Sequence, residues 1–240
     1  MRYSYRLLHR SLCPPAYCAV IVSPHGVRFK WQSLSLSPSR SRRKTVLICE
    51  AFMAIHLHKN DLPNEVSFSG AIAVDTETLG LKPSRDRLCL VQLSAGDGDV
   101  HIVQLDSENY DAPNLKAVLG DRSLVKIFHY ARFDLAVIAQ YLNVHAAPLW
   151  CTKIASKLTR TYTDRHGLKD LCRELLNVDL SKAQQSSDWG APDLSDAQLN
   201  YAASDVLHLH ALKEKLETML DREGRRPMAE ACFEFVLVRA

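Results

Sequence analysis

The sequence predicts an α/β domain built on a mixed β-sheet flanked by helices. Three observations carry that prediction. Two apolar runs, Leu88–Ser94 and Val100–Gln104, bracket the turn cluster Gly96-Asp97-Gly98-Asp99 and read as an antiparallel hairpin. After the hairpin, short apolar strands alternate with stretches of helical period. At 47% hydrophobic and 24% charged, the chain has ample apolar material, and 53–240 has the length of one domain.

The elements follow in order. Ala71–Thr76 (AIAVDT) is a short apolar run that ends in acids, as a buried strand would. The hairpin supplies the second and third strands. Asn114–Leu119 is a short helix. Leu124–Phe128 (LVKIF) is a fourth strand and leads into a helix over Ala131–Leu142. Leu149-Trp150 is a short apolar stretch. Cys151–Leu158 continues helically, with Ile154, Ala155 and Leu158 on one side. Leu168–Leu176 is another helix, and Asp196–Leu220 a single long one. Ser195 with Gln198 three residues later forms its capping box. The tail Ala231–Val238 (ACFEFVLV) has strand-like character and is too apolar to be left exposed. It is expected to drive self-association or to pack back on the core.

Residues 1–52 are a different kind of sequence. They hold nine basic residues and one acid, a net charge of +8, which leaves 21 bases against 26 acids in 53–240, a net −5. The overall +3 therefore describes no single body and excludes a uniformly basic nucleic-acid coat. Ser33–Arg43 reads SLSLSPSRSRR, too poor in apolar surface to offset its ordering entropy. The expected organisation is a disordered basic extension over 1–52 and one domain over 53–240. The extension has three readings: a start assigned upstream of the true one at Met53, a targeting segment, or a tail that touches nucleic acid. No run of 18 apolar residues occurs, so no membrane partner is expected. Seven scattered cysteines without a CxxC pair point to reduced thiols in the cytoplasm rather than to zinc or disulfides.

The chemistry is carried by acids. Asp75 and Glu77 stand two apart at the end of the first strand, so both side chains share one face. Two such carboxylates repel each other unless a cation lies between them. Asp134 follows the fourth strand among apolar residues near a helix start, where a carboxylate also suits the helix dipole. Tyr201 and Asp205 stand four apart, one turn along a helix face lined by Leu199, Ala202, Val206 and Leu209. Acids seldom sit on such a face unless they are paired or bound to metal.

In this order, DTETLGL, HYARFDL and YAASDVLHL resemble the DEDD 3′–5′ exonucleases, and Tyr201 marks the DEDDy branch to which ribonuclease D belongs. The segment 166–189 is similar to the ribonuclease D stretch between the later motifs. The resemblance spans about 53–220 and implies a ribonuclease H-like (DnaQ-like) fold with a five-stranded mixed sheet. It implies two divalent ions, Mg²⁺ or Mn²⁺, which suit oxygen-only ligands. Asp75 would then bridge both ions, Glu77 and Asp205 would complete the water-activating site, and Asp134 would serve the second ion. Tyr201 would orient the attacking water.

The shortness of the chain, 149–158 and 162–167 look most like the nano-RNase C family of alphaproteobacteria. That likeness implies diribonucleotide substrates such as pGpG and an octameric ring. Cys151-Thr152 replaces the usual Asp-Thr pair as a subfamily mark. About twenty residues follow the long helix, so no further RNA-gripping domain is expected, and an acidic body favours short RNA. The residues expected against substrate are Thr76, Leu79 as a wedge on a base, and His129 and Arg132 on phosphate or sugar. Trp150, with Trp189, is expected to stack a base. Arg165 and His166, in a basic stretch with Lys153, Lys157 and Arg160, are expected to cap a 5′-phosphate. The alternatives are ribonuclease D-like trimming of tRNA or other RNA ends, attack on DNA ends, or a non-catalytic nucleic-acid scaffold.

Overall fold

The structure is a computed structural model that describes residues 54–181 and 183–240, with the backbone of two earlier strands. The chain divides into two units, Met1–Cys49 and Glu50–Ala240. In the first, β1 (Ala16–Ser23) and β2 (Gly26–Ser33) pair antiparallel. The rest of what the sequence implies for 1–52, and the start at Met53, lies outside the described residues.

The second unit is a sheet covered by helices. Its elements are β3 (Ala54–Lys59), β4 (Ala71–Thr78), β5 (Leu88–Ser94), β6 (Asp99–Gln104) and α1 (Pro113–Gly120). Next come β7 (Val125–Phe128), α2 (Arg132–Leu142), β8 (Leu149–Cys151) and α3 (Thr152–Thr159). Last are α4 (Leu168–Leu171), which widens into a π turn over Cys172–Leu176, then α5 (Asp196–Leu207), α6 (Leu209–Arg222) and α7 (Arg226–Arg239).

The sheet has six strands in the order β3-β6-β5-β4-β7-β8, one more than the five expected. β5 runs antiparallel to both β4 and β6, whereas β3 joins β6, β7 joins β4 and β8 joins β7 in parallel. The unforeseen strand is β3. It alternates histidine with Ile55 and Leu57, so its outer positions lack the apolar signal of a strand. β5 is buried at every position, which explains its continuous apolar reading.

Two further expectations are corrected. Asp196–Leu220 is not one helix, because the chain turns at His208 and splits it into α5 and α6. α5 packs on the sheet, α6 packs mainly on α3, and His210 Nε2 lies 3.1 Å from the Ser94 carbonyl at the start of α6. The tail is helical rather than strand-like. Pro227 opens α7, and Arg226 grips Asp221 at 2.6 and 2.7 Å, tying α7 to the end of α6. Phe233 packs on Trp150 with ring centroids 5.4 Å apart, while Phe235 and Val238 face outward.

The core unites both sheet faces with α1, α2, α3, α5, α6 and α7. Lys126 is a charged side chain buried wholly inside it. The Lys126 ammonium donates to the carbonyls of Asp121, Leu124 and Ala147, and burial pulls its pKa down to about 8.

Candidate active site

Strand β4 carries Asp75 and Glu77 to its C-terminal end on one face, and Thr76 points to the other. α5 brings Asp205 over the Asp75 face. Carboxylate oxygens of Asp75, Glu77 and Asp205 lie within 4.8 Å of one another. Asp134, in the first turn of α2, meets the opposite side of the strand, where it accepts a 2.7 Å hydrogen bond from the Thr76 hydroxyl.

Burial is the main electrostatic fact of this group. It pushes Asp75 well above the ordinary carboxylate range, with Asp134, Asp205 and Glu77 adding repulsion. Glu77 rises to about 9 by burial and by the fields of Asp205 and Asp134. Asp134 reaches about 7 through burial, against the pull of Thr76. Asp205 also reaches about 7 through burial, and Tyr201 draws it partly back. The Tyr201 phenol is held protonated by burial and then by Asp205, Glu77 and Asp75. Among the described residues no salt bridge compensates any of these acids. An all-oxygen set that repels itself and lacks basic partners fits a hard divalent cation. Asp75, Glu77 and Asp205 would hold it, with Asp134 beside them.

Asp75, Glu77 and Asp205 floor a cleft of about 640 Å³. One wall is the segment after β4. There Leu79 and Leu81 are 52% and 85% exposed, a costly display of apolar surface unless something packs on it. That segment is firmly tied. Asp86 accepts from the Lys82 amide and from Arg85, and Arg87 reaches the Gly190 carbonyl at 3.4 Å. A Cβ on Gly190 would come within 2.9 Å of Leu79 Cδ2, so glycine there sets how Leu79 stands.

The opposite wall is His129, Tyr130, Phe133 and Lys153. The Thr152 hydroxyl lies 2.8 Å from His129 Nδ1 and 3.2 Å from the Phe128 carbonyl. His129 is fixed at the cleft wall by this contact. Burial, then Lys153, pulls its pKa down to about 3, and the ring is neutral at working pH. Tyr130 sits in the left-handed region at φ 70°, rare for an aromatic residue, with the Lys153 ammonium 4.1 Å from its ring centre. Beyond Lys153 and Gly167 the cleft runs on into a recess lined by Lys157, Thr161, Asp164 and His166. His166 is held by Ser156 Oγ at 2.9 Å, and the same oxygen accepts from the fully buried Arg160.

The structure therefore brings together Asp75, Glu77, Asp134, Tyr201 and Asp205, with Leu79 and His129 at the cleft and His166 in the recess. Thr76 is turned to Asp134 and leaves little hydroxyl for a ligand. Trp150 does not reach the cleft, because its ring is buried against Phe233. Arg132 and Arg165 are exposed on the outside and do not line it. Trp189 does line it, buried 5.9 Å from the Tyr201 ring. Tyr130 and Phe133 were missed although both lie in the HYARFDL motif, where Asp134, His129 and Arg132 drew the chemical reading. Gln92 was missed as well. It is fully buried and stands opposite Asp75 in the β4–β5 register.

A 3′–5′ exonuclease family profile matches residues 56–221. The chain belongs to that family. The comparisons also bear out the likeness to ribonuclease D and to nano-RNase C. The structure of Brucella melitensis NrnC is 60% identical, with a TM-score of 0.75, over 77% of this chain and 90% of that one. The same protein bound to pGG is 59% identical at TM-score 0.76, over 78% and 91%. With bound Mg²⁺ it is 58% identical at TM-score 0.75, over 78% and 92%. Ribonuclease D of Gluconacetobacter diazotrophicus is 36% identical over 64% of this chain and 39% of its own length. The chain thus spans about two fifths of the curated ribonuclease D relatives it matches. Among the described residues no helix is long and apolar enough to cross a membrane.

Proposed function

We propose that the chain is a metal-dependent 3′–5′ exoribonuclease that hydrolyses short oligoribonucleotides, diribonucleotides such as pGpG foremost, to 5′-mononucleotides. The observation that carries this reading is the joining of three convergent carboxylates to a basic recess through one leucine-walled cleft. A short substrate would place its scissile phosphate over the acids and its 5′-phosphate near Lys153, Lys157 and His166. The pGG-bound relative supports the same length of ligand.

The residues divide the work. Bound Mg²⁺ or Mn²⁺, two ions in this reading, would supply positive charge at the phosphate and lower the pKa of the attacking water. Asp75, Glu77, Asp134 and Asp205 hold that charge in place. Tyr201 stays a phenol and orients the water by hydrogen bonding, while a carboxylate takes the proton. Leu79 separates the terminal base from its neighbour by packing. Trp189 backs Tyr201.

Residues 53–240 are taken as the catalytic unit and 1–52 as an extension outside it. The outward Phe235 and Val238 on α7 favour self-association, ring assembly included, which light scattering would test by giving a mass above the monomer.

Metal-dependent release of 5′-mononucleotide from pGpG, compared with a long oligoribonucleotide, tests the function. The expected result is faster turnover of the dinucleotide. Equal turnover on both would overturn the length preference and favour ribonuclease D-like trimming. No metal-dependent release from either would overturn the enzyme itself.

A further inference from the structure

Three histidines outside the cleft lie together at the sheet's open edge. β3 is separated from β4 by β6 and β5, about 14 Å of sheet. In the parallel β3–β6 register His56 faces His101, and His58 lies two residues on, so the three imidazoles share one face. Their ring centroids are 4.9 Å (His56–His101), 5.3 Å (His58–His101) and 6.5 Å (His56–His58) apart, with nearly parallel planes.

We propose that His56, His58 and His101 bind a borderline divalent transition-metal ion of the Zn²⁺ type, at a site separate from the carboxylates. His58 Nε2 and His101 Nδ1 are 3.0 Å apart. Two nitrogens on one tetrahedral ion at about 2.0–2.1 Å stand about 3.3 Å apart, so the pair need open by only a few tenths of an ångström. An N···N contact also means that one nitrogen already offers its lone pair to the shared space. The ion takes the place of the proton between them, which moves to the other nitrogen of the same ring, so that both rings ligate as neutral imidazoles. Burial and the neighbouring imidazoles hold both rings below the ordinary histidine range, which leaves them neutral and fit to ligate.

His56 supplies the third ligand. His56 is exposed and would reach the pair by a side-chain rotation that gives up the 3.5 Å contact of its Nε2 with Asp99 Oδ2. Phe68 packs edge-on against His101 at 5.8 Å and holds that ring in place. Nitrogen donors select Zn²⁺-like ions over Mg²⁺, so the two sites sort metals by ligand type. The ion would clip β3, an edge strand paired on one side, to β6.

The test uses untagged, metal-stripped, full-length protein titrated with Co²⁺. Strong visible bands of four-coordinate, nitrogen-ligated Co²⁺ are expected, saturating near about one equivalent. They should be displaced by Zn²⁺, resist excess Mg²⁺ and accompany a rise in Tm. H58A/H101A should lose the bands and keep Mg²⁺-dependent turnover. If that double variant misfolds, H101Q alone should raise the Co²⁺ Kd at least about tenfold. Bands that persist in these variants, or sulfur charge-transfer absorption, would overturn the assignment. So would wild-type protein without such bands or a Tm change, which would leave the histidines a packed pair only.

Discussion

The Thr76 hydroxyl donates to Asp134 Oδ1 at 2.7 Å, joining the catalytic strand to the first turn of α2. The donor lies between Asp75 and Glu77 in sequence but on the opposite face. It lowers the pKa of an acid that burial alone would raise further. Thr76→Val should leave the fold intact by circular dichroism and lower kcat by about ten- to a hundredfold, with Thr76→Ser near wild type. Full activity in T76V would show that Asp134 needs no such support.

The acid cluster makes the metal-free protein sensitive to base. Asp134 and Asp205 titrate near 3.8 when unfolded and about 7 when folded, and Glu77 near 4.5 and about 9. These folded values are raised, so the folded state holds more protons and its stability falls as pH rises through the window from about 4 to 9. In EDTA, Tm should drop steadily from pH 5 to pH 9. Adding Mg²⁺ or Mn²⁺ should restore more at the high end. A Tm in EDTA that is flat or rising over this range counts against a self-repelling cluster.

Tyr201→Phe removes only the hydroxyl of a ring packed beside Trp189. Stability should change by less than about 1 kcal/mol, while kcat falls by about a hundredfold and KM stays nearly constant. Retained kcat would remove Tyr201 from the water-positioning role.

Gly190→Ala places a methyl group 2.9 Å from Leu79 Cδ2 and 3.2 Å from Arg87 Nη2. Both neighbours are side-chain ends, so the fold should tolerate the change, while Leu79 must shift. KM for a dinucleotide should rise several-fold, matched by Leu79→Ala. An unchanged KM in both variants would mean that Leu79 packs on nothing in the bound state.

The clustering of Asp75, Glu77, Asp205 and Tyr201 was legible because spacings of two and four map directly onto a strand face and a helix face. Single residues were not. Trp150 reads as a stacking platform in sequence, yet α7 places Phe233 on its ring. Nothing near Trp150 in sequence signals a partner 83 residues away. The α5–α6 break was hidden for a related reason. No proline or glycine marks it, and the apolar period runs on through His208, while His210 is held by a carbonyl on β5. The tail failed the other way: local β-forming composition in ACFEFVLV yielded to helical packing over Trp150 and to the Arg226–Asp221 clamp. Tyr130 was beyond reach, since its left-handed backbone comes from the geometry between β7 and α2 and not from its type.

The turn at His208 has a consequence for how a shift in the outer helices is transmitted. Tyr201 and Asp205 ride on the helix that rests on the sheet, and the outward surface of Phe235 and Val238 belongs to helices beyond the turn. A continuous rod would carry each outer adjustment back to the reacting atoms. With the rod divided at His208, a shift of α7 has no helix axis along which to reach Asp205 and is passed on only through packed side chains.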